Sequence, residues 1–109
     1  MTRAEFNTMV RSIGIPSAYH YFPEGTAEPP PFICFYETFD NDVNADNENY
    51  VKIRQMIIEL YTDEKDFVLE GRIERTLKAN GLPYRFDSTY LDDQKLYMSV
   101  YTMEVIFNA

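Results

Sequence analysis

Two stretches of this chain place apolar side chains on both of their faces, and this limits the fold more than any other feature. Residues 50–61 read YVKIRQMIIELY. Set out with the two-residue period of a strand, Met56, Ile58 and Leu60 share one face, and Val51, Ile53 and Ile57 share the other. Residues 95–107 read KLYMSVYTMEVIF, with Tyr97, Met98, Tyr101, Met103 and Phe107 distributed over both faces. A strand that is apolar on both sides is a central strand, or one partly covered by another subunit.

Two helices are available as cover. Thr2 and Glu5 have the spacing of a capping box, and Phe6, Met9, Val10 and Ile13 follow at helical spacing, predicting a helix over residues 3–12. Gly14 suits a left-handed turn after it, and Pro16 blocks continuation. A second helix is predicted over residues 65–79, with Thr62 or Asp63 as its cap and Leu69, Ile73 and Leu77 as its apolar stripe. Asn80-Gly81 ends it, and Leu82 can contact Leu77. Gly71, inside this helix, predicts a close backbone approach.

The remaining segments read as strands and loops. Residues 18–22 and 32–39 are short aromatic strands separated by PEGTAEPPP, whose prolines cannot donate to a ladder. Residues 84–91 and 95–107 flank Asp92-Asp93-Gln94 as a hairpin. The resulting order is α-β-β-β-α-β-β: a single α+β domain over residues 1–109, with a mainly antiparallel sheet and two helices on one face.

Charge is unevenly placed. The net charge is −8, yet residues 23–49 contain no Lys or Arg and seven carboxylates, a net −7. Residues 40–49, DNDVNADNEN, read as a solvated acidic loop carrying Asp40, Asp42, Asp46 and Glu48. An EF-hand beginning at Asp40 requires Gly at position 45 and Glu at 51, where Ala45 and Val51 stand, so no calcium site is expected. An acidic chain is a poor generic ligand for DNA or for anionic membranes. No apolar run approaches the ~18 residues of a membrane span, and MTRAEF lacks the apolar stretch of a signal peptide. The expectation is a soluble protein of a reducing compartment, since the single Cys34 excludes an internal disulfide framework.

No catalytic constellation stands out. His20, the only histidine, sits between Tyr19 and Tyr21 without ligand spacing or a G-x-S-x-G motif nearby. Cys34 lies inside an apolar strand and reads as a buried, inert thiol. No catalytic, cofactor-binding or metal-binding residue is assigned. The aromatic content, 9 Tyr and 8 Phe without Trp, exceeds what a small one-sided sheet can hide. Tyr97, Tyr101, Met103 and Phe107 are therefore candidates for an oligomer interface as well as for the core.

One stretch carries a resemblance. ADNENYVKIRQMIIELYTDEKD, residues 45–66, resembles small proteins of the head-to-tail gene cluster of long-tailed phages and prophages of Gram-positive bacteria. The shared features are the Ala45-Asp46-Asn47 turn, the strand ending Ile58-Glu59-Leu60-Tyr61-Thr62, and Lys65-Asp66 before a helix. The opening helix, Pro31-Phe32-Ile33-Cys34, and the closing strand from Lys95-Leu96-Tyr97 to Glu104-Val105-Ile106 are also similar. The resemblance implies a tail-terminator or tail-completion protein: a small α+β subunit that assembles as a ring, usually a hexamer. Its partners would be the tail-tube and head-connector proteins, and its place the virion, assembled in the host cytoplasm. It implies no active-site residues. A head-completion or other minor phage structural protein is the neighbouring reading. An acidic DNA-mimicking or protein-binding module is the alternative from another class. It fits less well, because a mimic spreads its carboxylates over a broad face.

Overall fold

The computed structural model describes residues 1–22, 25, 28–38 and 51–108. The predicted acidic loop, with Asp40, Asp42, Asp46 and Glu48, lies outside the described residues. Among these residues the chain forms helix α1 (Arg3–Arg11), strands β1 (Ser17–Tyr19), β2 (Phe32–Glu37) and β3 (Val51–Thr62), helix α2 (Phe67–Ala79), and strands β4 (Arg85–Leu91) and β5 (Leu96–Asn108). This is the predicted order, and the fold is α+β. The sheet runs β1-β2-β3-β5-β4, antiparallel except where β1 pairs with β2.

The helix ends follow local chemistry. Thr2 and Glu5 form the capping box: Glu5 N donates to Thr2 Oγ1 at 3.1 Å and Thr2 N to Glu5 Oε1 at 2.8 Å. Gly14 takes φ +94°, where a side chain is strained. At the end of α2, Leu82 N donates to Leu77 O at 3.0 Å and Gly81 N to Lys78 O at 3.0 Å. This is a Schellman pattern, with Gly81 at φ +70°.

Three sequence expectations are corrected here. The cap of α2 is Asp66, whose Oδ1 accepts from Leu69 N at 2.9 Å. Thr62 instead extends β3 by one more rung, opposite Tyr97, so α2 begins two residues later than predicted. The strand near residue 20 stops at Tyr19, because His20 turns to φ +75°. Gly71 receives no close backbone approach: a Cβ built there meets only the end of the Arg75 side chain, at 3.4 Å.

Both helices cover one face of the sheet. Phe6, Met9 and Val10 of α1 and Leu69, Ile73 and Leu77 of α2 join a single buried cluster. From the sheet it contains Ile33, Phe35, Met56, Ile58, Leu60, Tyr101, Met103, Val105 and Phe107. The two-faced strand β5 is thereby resolved: its odd-numbered residues from Ser99 to Phe107 point to the helices. Tyr101, Met103 and Phe107, read from sequence as candidate interface residues, lie inside the core of the single subunit. The reason is register: Tyr101 stands opposite Ile58 and Met103 opposite Met56, the β3 residues beneath the helices. Tyr97 is only partly buried and packs beside Tyr90, ring centroids 4.8 Å apart.

Candidate functional site

The face of the sheet opposite the helices has no covering element among the described residues. β2 presents Phe32, Cys34 and Tyr36 on it, facing Tyr61, Glu59 and Ile57 of β3. Beyond them β5 contributes Met98, Val100 and Thr102 opposite Tyr61, Glu59 and Ile57. Farther along, Ile53 stands opposite Ile106, and both are more than half exposed.

Glu59 organises the centre of this face. Tyr36 Oη donates to its Oε2 and Tyr61 Oη to its Oε1, each at 2.7 Å. Burial, the hydrogen bond to Glu59 and its charge push the Tyr36 hydroxyl up to about 12. The same causes raise Tyr61 further. Cys34, directly opposite Glu59, is raised by burial and then by that carboxylate, which keeps its thiol protonated and unreactive. The sequence reading of Cys34 as a buried thiol holds.

Both carboxylate oxygens are thus taken by donors from the same face. The product is a firm aromatic surface. Phe32 stacks on Tyr61 at 5.0 Å with 23° between the rings, and Phe22 meets Phe32 edge-on at 5.5 Å. His20 is exposed and lies 5.7 Å from the Tyr36 ring, as a surface histidine beside the aromatic patch.

A second polar network sits under α2. Glu70 is buried, and its Oε2 accepts from Lys65 Nζ at 2.7 Å and from Ser99 Oγ at 2.6 Å. Lys65 also donates to Ser88 Oγ at 3.0 Å, so the network ties α2 to both β4 and β5. On the α1 side, Glu37 accepts from Arg3 at 2.6 Å and pairs with Arg54 at 2.9 Å. A shallow groove of about 570 Å³ runs between α2 and residues 81–84.

The sequence reading missed both Glu59 and Glu70. A signal for Glu70 was present: Glu70, Ile73 and Leu77 have i, i+3, i+7 spacing, which puts the carboxylate on the buried stripe. Among the described residues no group of three or more His, Cys, Asp or Glu is placed to hold a metal ion, and no helix is long and apolar enough to cross a membrane. Compared with known proteins, the chain matches no family model and no curated sequence.

Proposed function

We propose that this chain is a ring-forming structural subunit of the phage head-to-tail region, a tail terminator or completion protein. In this role it caps the tail tube and joins it to the head connector. The observation that carries the reading is the sheet face that no described element covers, with Phe32, Tyr36, Ile57, Tyr61 and Met98 partly exposed and Ile53 and Ile106 more than half exposed. At roughly 25 cal/mol per Å² of apolar surface, completing the burial of these side chains favours association. The resemblance of residues 45–66 and of the flanking elements supplies the context. The net charge of −8 opposes association of free subunits, and a tail-tube end then serves as the template. A closed ring needs two different patches on each subunit, and the open face supplies one of them.

Sedimentation of the purified protein at low and high ionic strength, with and without tail-tube protein, tests the reading. Association should strengthen with salt or with tube protein, and rings should be visible by electron microscopy. Replacing Ile53 and Ile106 together by Lys should abolish the rings and the open-face association that builds them. A strict monomer under all four conditions overturns the proposal.

A further inference from the structure

Independently of the head-to-tail reading, we infer that β4 is a self-pairing edge, through which two copies of this chain join their sheets about a two-fold axis at Ser88. β4 is the outermost strand, and among the described residues nothing pairs with its outer side. Its pairing to β5 is one-to-one from Arg85 to Leu91, so no bulge interrupts the row of free backbone groups. It contains no proline, and its charged residues are Arg85 and Asp87. A long, regular, weakly guarded edge is a template for another strand.

The surroundings are apolar. Phe86 and Tyr90 on β4, Tyr84 just before it, and Phe67 of α2, whose ring shares the Lys65 ammonium with Phe86, are between 37% and 72% exposed. They are four of the nine large hydrophobic residues exposed on the described chain. At on the order of 100 Å² each, they offer roughly 400 Å² per copy, about 800 Å² over the pair, to which the paired strands add their own area toward the ~1,000 Å² of a specific contact.

The occupant follows from the sequence of the strand itself. In RFDSTYL an antiparallel register centred on Ser88 sets Phe86 opposite Tyr90 of the second copy, twice, on the helix-side face. On the other face it sets Arg85 opposite Leu91 and Asp87 opposite Thr89, with no like charges directly opposed. Aromatic cross-strand pairs stabilise this arrangement, and the direct opposition of like charges would weaken it. A two-fold axis perpendicular to the sheet leaves both α2 helices on the same side. They flank a trough floored by the four aromatic rings.

Cysteine cross-linking in a Cys34→Ala background reads the register. Ser88→Cys should form a covalent dimer under mild oxidation. Asp87→Cys and Thr89→Cys should cross-link only when the two variants are mixed. By sedimentation, Phe86→Lys or Tyr90→Lys should weaken the dimer at least tenfold, with an unchanged circular dichroism spectrum. Ile53→Lys with Ile106→Lys should leave the dimer intact, which separates this contact from the open-face association. Equal cross-linking at all three positions, no cross-linking of Ser88→Cys, or a dimer indifferent to the lysine variants would overturn the inference.

Discussion

Glu59 holds two tyrosine hydroxyls whose ionisation it opposes, and this gives the open face an alkaline limit. Tyr36 moves from its ordinary value of 10.0 to about 12 in the fold, because of burial first and Glu59 second. Below pH 10 the hydroxyl is protonated in both folded and unfolded chains, and its full contribution to stability is present. Between about 10 and about 12 only the unfolded chain ionises, so stability falls as pH rises through that window. Urea midpoints measured across it should decline, and Tyr36→Phe combined with Tyr61→Phe should lessen the decline, part of which remains because burial raises Tyr101 in the core as well. Glu70 sets a different test. Glu70→Ala leaves the buried Ser99 hydroxyl without its acceptor and Lys65 hydrogen-bonded to Ser88 alone, and thermal denaturation should show a loss of about 1–3 kcal/mol. Glu70→Gln, which keeps an acceptor for Ser99, should lose less. Neither carboxylate was read as a site in the sequence: Glu59 stands between Ile58 and Leu60, where the pattern signals only a strand, and Glu70 shows itself only through its spacing from Ile73 and Leu77.

At the scale of elements, the capping box at Thr2 and Glu5 and the Asn80-Gly81-Leu82 ending of α2 were legible because each is satisfied by backbone groups a few residues away. The cap of α2 was not. Thr62, Asp63 and Asp66 all suit the position, and the choice fell to a distant partner, since Thr62 is held in β3 by Tyr97. The faces of β5 were illegible for a related reason. With apolar residues at both parities, a period of two cannot say which side meets the helices; that is settled by its register against β3. Asp66→Ala should cost about 1 kcal/mol in denaturant unfolding, through loss of the cap to Leu69 N. Gly71→Ala should stabilise the protein by about 0.5–1 kcal/mol, since its Cβ meets only a flexible arginine tip. Gly81→Ala, at φ +70°, should destabilise it by a similar amount.

For the whole molecule, the sheet has one helix-covered face, one open face and two unequal edges, of three residues at β1 and seven at β4. The sequence carried the surplus of aromatic residues but not their placement. The strands that looked richest in interface residues build the core with one parity, and their alternate residues, with those of β2, line the open face. The ladder between β3 and β5 also governs how fast this arrangement can form. It pairs Thr62 with Tyr97 at its near end and Val51 with Asn108 at its far end, so all of α2 and β4 lies within the loop that it closes. The β4-β5 hairpin is local and can form in roughly 1–10 μs. The central rungs of the sheet must wait for that loop to close, which places folding on the slower, millisecond-to-second scale of non-local β pairing. Substitutions along β3 should therefore slow folding in stopped-flow experiments. Those in β1, a three-residue strand at the far edge, should mainly speed unfolding.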